Sequence, residues 1–203
     1  MNTYGLTPLE SRRLRVLGSP VGIQRFLDDL PYHHGNTAWS PRRVLRGHSA
    51  HCLEGAIFAA AALRANGYPP LLLDLEAVFD VDHVLAVYRN DGHWGAIGKS
   101  NFAGLRFREP VYRSLRELAM SYFDQYYNLR GDRTLRGYSQ PINLQRFDRL
   151  HWMISEQDVW FIPEYLCHIH HRPLLTATQE RRLTRLDARS RAAGLVGYSK
   201  EKH

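Results

Sequence analysis

The run from Leu53 to Leu63, Leu-Glu-Gly-Ala-Ile-Phe-Ala-Ala-Ala-Ala-Leu, constrains this chain more than any other stretch. It is rich in strong helix formers and apolar on most sides. Gly67, Pro69 and Pro70 close it, so the spacing predicts a helix over 49–66. A helix without a polar face belongs inside a protein, wrapped by other elements. It falls short of the roughly 18 consecutive apolar residues that a membrane span needs, so the rest of the chain has to supply its cover. With 203 residues, 44% apolar and 23% charged, the chain has material for one domain with a real core, and its composition excludes disordered, collagen-like, coiled-coil and disulfide-scaffold classes.

The flanking patterns suggest what that cover is. Thr7-Pro8-Leu9-Glu10 is a capping-box start with Pro in the first turn, opening a short basic helix that stops near Gly18. Ser19-Pro20 repeats the device, and Val21, Ile23, Phe26, Leu27 and Leu30 give the second helix an apolar face before Pro31. A polar loop over 33–40 and a loop or short helix ending at Gly47 lead to the apolar run. After it, Leu71 to Leu75 reads as a strand, and two apolar runs, His83 to Arg89 and His93 to Ile97, flank Asp91-Gly92, a strong hairpin signal.

Beyond Pro110 the pattern turns helical. Ser114 to Glu117 is a capping box, followed by an aromatic-rich helix carrying Tyr122, Phe123, Tyr126 and Tyr127 to about Gly131. Residues 137–150 read as an irregular connection, and helices near 155–166, kinked at Pro163, and 176–193 finish the chain. The expected fold is α+β: one domain over 1–203, with a central helix on a small antiparallel sheet. Its core is expected at about 48–102, with helical extensions over 1–47 and 111–203.

The chemistry concentrates at the start of the central helix. A thiol in a first helical turn, as at Cys52, faces unsatisfied N–H groups that favour thiolate and can hold an oxyanion. His83 opens the next strand but one and can take the thiol proton and return it to a leaving group, provided that a third residue fixes its ring. If Asp91-Gly92 is a two-residue turn, Asn90 pairs with His93 and Ser100 falls opposite His83. A three-residue turn puts Lys99 there, and a bulge near Gly98 brings in Asn101. Ser100 or Asn101 is thus the expected orienting residue, with Asp80 and Asp82 as carboxylate alternatives. The competing readings make Cys52 a small buried hydrophobe and His83 a satisfied sheet histidine. His48 and His51 read as local helix-end groups.

Cys52-Leu53-Glu54-Gly55-Ala56, the helix through Leu63 to Pro69, the Asp82 to Val87 strand and the Asp91-Gly92-His93-Trp94 turn resemble the transglutaminase-like cysteine hydrolase superfamily, in an uncharacterised bacterial branch. The resemblance spans about residues 48–102. It implies a papain-related core and acyl chemistry: a Cys52 thioester with His83 as general base and then acid, ending in hydrolysis or transfer to an amine. Cys52 and His83 match the pattern. The aspartate that the family places on the following strand has no counterpart in Gly95 to Asn101.

Charge supplies the alternative. The chain carries +7 with His neutral, and its only lysines are Lys99, Lys200 and Lys202, the other cations being arginines. Arg106, Arg108, Arg113 and Arg116 form the densest cluster. Together they allow a non-catalytic binding module that engages nucleic acid or an acidic protein, although a solvated face is the preferred reading. The same charge biases an acyl or peptide-like substrate toward acidic ones. Cys167-His168-Ile169-His170-His171 is too tightly spaced for a zinc site, so Cys167 is expected to pack, and no metal or cofactor is expected. Without a leader-like N-terminus or an apolar span, the sequence reads as soluble and cytoplasmic.

Overall fold

The apolar run forms helix α4, Cys52–Ala65, in which every residue from Leu53 to Leu63 is buried. A computed structural model describes residues 4–199; Met1 to Thr3 of the N-terminal segment, and Lys200 and Lys202, lie outside the described residues. Three N-terminal helices cover α4: α1 (Pro8–Val16), α2 (Pro20–Asp29) and α3 (Pro41–Gly47). All three start with one device. The Thr7, Ser19 and Ser40 side chains accept from the third backbone amide of their helices, and a proline follows each of them where no N–H is needed. Phe58, Ile57 and Leu63 are fully buried in α4, each contributing about 1.5–3 kcal/mol by leaving water.

The other side of α4 lies on an antiparallel sheet. Strands β1 (Leu71–Ala77), β2 (His83–Asn90), β3 (His93–Ile97), β4 (Arg108–Tyr112), β5 (Leu135–Ser139) and β7 (His171–Pro173) run in the order β4-β3-β2-β1-β5-β7, and the short β6 (Ile142–Asn143) pairs with β1. The Asp91-Gly92 turn has positive φ at both residues, 47° and 80°, and sets Asn90 opposite His93 as the hairpin pattern requires. Val84, Ala86 and Tyr88 face α4, while Leu85 and Val87 pack on the far side with Leu118, Tyr122 and Tyr126. The sheet is therefore buried on both faces. The α+β class holds, with a sheet larger than the three strands read from the sequence.

The segment after residue 110 is not a helical extension, because β5, β6 and β7 join the same sheet. Both edge strands carry a proline, Pro110 in β4 and Pro173 in β7, which is the position in a sheet that tolerates a missing N–H. Those prolines mask the strands in the sequence. The aromatic helix is also shorter than expected: α5 spans Leu115–Met120, and a 3-10 turn follows at Phe123–Gln125. There the Tyr122 and Tyr126 hydroxyls donate to the Arg106 and Val81 carbonyls at 2.8 Å each. Pro163 lies in the first turn of α6 (Phe161–His168), so it starts that helix rather than kinking it. The last expected helix is two, α7 (Ala177–Arg181) and α8 (Ala188–Gly194), because Asp187 accepts from the Arg189 and Ser190 amides as an N-cap.

Two contacts fix where α4 begins. Gly55 lets the segment after β3 cross the helix; a Cβ there would sit 2.4 Å from Lys99 Cβ. Lys99 is buried, and its Nζ donates to the Leu27 and Leu30 carbonyls at 2.7 and 2.5 Å, closing the end of α2. Glu54 is fully buried, and its carboxylate is saturated. Oε1 accepts from the Thr37 hydroxyl at 2.5 Å and the Trp39 amide at 3.1 Å; Oε2 accepts from the His51 amide at 3.2 Å and lies 2.9 Å from His33 Nδ1. Replacing Glu54 by Gln turns one acceptor into a donor facing donors. We expect Glu54→Gln to lose about 2–4 kcal/mol in urea unfolding; a loss below about 0.5 kcal/mol would show that the carboxylate is not holding this junction.

Candidate active site

Cys52 is the first residue of α4 and is half-buried, and His83 is the first residue of β2 and is 4% exposed. Both line one cavity of about 260 Å³. The local sequence places them: the capping arrangement around Glu54 starts the helix at Cys52, and β2 begins where Asp82 is held by the Ala77 amide at 2.7 Å. The helix start does not lower the thiol pKa as expected. The amides of Leu53, Val84 and Cys52 favour the thiolate, but burial outweighs them and pushes the thiol up to about 11.

His83 is neutral for the same reason. Burial lowers its imidazole to about 4, and Nε2 lies 2.8 Å from the Leu105 carbonyl oxygen. A carbonyl only accepts, so Nε2 carries the proton and Nδ1 keeps its lone pair. Gly98 makes room for the ring, since a Cβ there would lie 3.3 Å from Nε2 and 2.7 Å from Leu85 Cδ2.

The group that holds the imidazole is therefore the Leu105 carbonyl. Pairing of β2 with β3 ends at Ala86 and Ile97, three residues short of His83, and the chain then turns away. Ser100 and Asn101 both line the cavity, but among the described residues neither hydrogen-bonds to the imidazole. Ser100 Oγ accepts from the Phe102 amide at 3.0 Å, and Asn101 makes a reciprocal pair with the Ser199 backbone at 2.7 Å each way. Asp80 is held by Thr134 Oγ1 at 2.8 Å and the Val81 amide at 2.9 Å, so neither carboxylate alternative bonds to the imidazole among the described residues. A backbone carbonyl leaves no side-chain signature, so no residue pattern points to it.

Sequence reasoning also missed the aromatic wall. Tyr32, Phe102, Tyr127 and Tyr198 reach the cavity from four separate parts of the chain. Their only shared sequence signal is residue type.

The remaining candidates are structural. His33, His51 and Glu54 bring ligand atoms within 4.8 Å of one another. However, Glu54 is saturated by protein donors and His51 Nε2 lies 2.9 Å from the Thr37 carbonyl, which makes the cluster a completed hydrogen-bond network rather than an open ligand set. In the Cys167 to His171 segment, His168 Nδ1 bonds to the Glu164 carbonyl at 2.6 Å and His171 Nε2 to Asp74 at 2.9 Å, while Cys167 is exposed rather than packed. His48 ends α3 in the left-handed conformation at φ 50°. Of the arginine cluster, Arg106 pairs with Asp28 at 3.2 Å, Arg108 lies over the Tyr122 ring at 3.9 Å and Arg116 donates to the Leu174 carbonyl at 3.0 Å, while Arg113 is exposed. Among the described residues no helix is long and apolar enough to cross a membrane. No protein-family model matches this chain, and no curated protein matches it significantly.

The resting pair is thus a thiol and a neutral imidazole, not a thiolate and an imidazolium. In a Cys167→Ser background, the rate of Cys52 alkylation by iodoacetamide should rise about tenfold per pH unit from pH 7 to 10, below the rate of a free thiol at pH 7. A rate that stays flat from pH 5 to 8 would reveal a standing ion pair instead.

Proposed function

We propose that this protein catalyses acyl transfer or amide and ester hydrolysis through a thioester on Cys52, with His83 as general base and then general acid. The observation that carries this reading is that the thiol and the histidine share one cavity while the imidazole keeps an unprotonated Nδ1. A helix bearing Cys packed on an antiparallel sheet bearing His also supports the kinship with transglutaminase-like and papain-like hydrolases that the motifs suggest.

The chemistry follows from the neutral pair. As Sγ attacks the substrate carbonyl, its proton passes to Nδ1, and the carbonyl electrons move to oxygen. The backbone N–H groups at the start of α4 face that oxyanion. Collapse expels an amine or alcohol, which takes the proton back from the imidazolium and leaves the thioester. Water or an amine then attacks with Nδ1 as base, and the free thiol is restored. Because the thiol holds its proton tightly, deprotonation is coupled to bond formation. The Leu105 carbonyl fixes the tautomer and supports the imidazolium without carrying a charge of its own, the part that a neutral side-chain amide plays in Cys-His-Asn enzymes.

Turnover of a panel of 4-nitrophenyl esters and anilides tests this. Cys52→Ala should lower kcat/KM by at least about 1,000-fold and His83→Ala by about 100-fold, with Cys167→Ser unchanged. Turnover that survives in Cys52→Ala, or a wild-type protein that turns over no member of the panel, would contradict the assignment.

A further inference from the structure

Around Cys52 the charge balance of the chain is inverted. The whole sequence carries +7, yet the described residues lining this cavity include Asp80 and Asp82 and neither an arginine nor a lysine. Neither carboxylate belongs to an ion pair among the described residues. Asp80 is clamped by Thr134 and Val81, and Asp82 gives one oxygen to the Ala77 amide while the other takes no hydrogen bond among the described residues. Two carboxylates thus line a recess to which the described residues add His34 and the neutral His83 but no arginine or lysine. Of the two adjoining recesses, one brings Arg130 together with Asp132 and the same Asp80, and the other brings Lys99, whose Nζ is bound to the Leu27 and Leu30 carbonyls, and Arg106, which is paired with Asp28.

Five of the other lining residues are aromatic rings, Tyr32, Phe102, Tyr126, Tyr127 and Tyr198. Phe102 meets Tyr127 and Tyr198 edge to face at 5.5 and 5.3 Å, and the Tyr126 and Tyr127 hydroxyls are spent on the Val81 and Arg191 carbonyls. Ring faces attract cations, and more strongly where water is excluded. Carboxylates beside aromatic rings are the chemistry that holds ammonium groups. At about 260 Å³ the cavity lies at the small end of ligand sites, which suits a single side chain.

We propose that this cavity takes its substrate by a cationic group, an alkylammonium held by Asp80, Asp82 and the tyrosine-rich wall, next to the carbonyl that Cys52 attacks. The inference rests on Cys52 being the reactive group of the site. It reverses the bias toward acidic substrates that the net charge suggests, because no arginine lines the cavity among the described residues.

Three methanethiosulfonates test the proposal in a Cys167→Ser background. Their transferred groups are trimethylammonioethylthio, methylthio and sulfonatoethylthio. Each passes its alkylthio group to the Cys52 sulfur, forming a disulfide and releasing methanesulfinate. With rates normalised to a small free thiol, the cationic reagent should outpace the anionic one by about tenfold at low salt. Asp82→Asn and Asp80→Asn should each shrink that ratio, and the double variant should bring it to about threefold or less, with the neutral reagent within about twofold throughout as the check on folding. If a variant fails that check, salt titration of the unsubstituted cavity carries the test: about 0.5 M salt should erode the preference. Equal rates for the two charged reagents, or a preference that survives both asparagines or high salt, would overturn the proposal. The labelling is independent of ester turnover. Loss of turnover with the charge preference intact removes only the acyl-transfer reading, and turnover without a charge preference removes only this one.

Discussion

The Glu54 carboxylate is the interaction on which the site depends. It is one turn into the central helix, fully buried, and each of its oxygens is held by donors from two places: Thr37 and Trp39 on one, His51 and His33 on the other. A carboxylate in an apolar interior is costly unless its lone pairs are filled, so the loop over 33–39 has one geometry that satisfies it. That geometry starts α4 at Cys52 and carries Tyr32, at the near end of the loop, into the cavity. Lys99 makes the corresponding tie on the other side, joining the segment after β3 to the end of α2. Cys52 is therefore positioned by two buried side chains, Glu54 and Lys99, that lie outside the cavity.

The same burial that positions Cys52 and His83 sets their protonation. Desolvation outweighs the helix start at the thiol and pushes the imidazole down, so both rest neutral. A pair in this state spares the thiol from adventitious oxidants, which react with thiolate. It also assigns work to the substrate: the carbonyl has to be in place before the proton moves. A cavity that grips one end of the substrate by charge supplies that placement, because holding the reacting atoms together accounts for much of the barrier in reactions of this kind.

What could be read from the sequence was local. The caps at Thr7, Ser19 and Ser40, the buried run after Cys52 and the Asn90 to His93 hairpin each depend on residues within a few positions of one another. What escaped depends on distant pairing. Strands β5 and β7 are short, and β4 and β7 carry prolines that only an edge tolerates, so their pattern does not read as strand until the sheet exists. The hairpin register was right, but extending it to His83 failed because β3 stops at Ile97, where Gly98 yields space to the His83 ring. The Leu105 carbonyl and the thiol pKa are tertiary properties, one of the backbone and one of burial. Neither has a residue pattern.

Cys52 and His83 are the pair on which the account stands, and the covalent intermediate is its most direct witness. The protein is mixed with an activated ester, quenched in acid within one turnover, and its mass and peptide map are read. The account predicts one acyl group on the Cys52 peptide, removed by hydroxylamine, absent in Cys52→Ala and slower to form in His83→Ala. Ester turnover that leaves Cys52 unmodified at every time point, or an acyl group found on Cys167 alone, would contradict it.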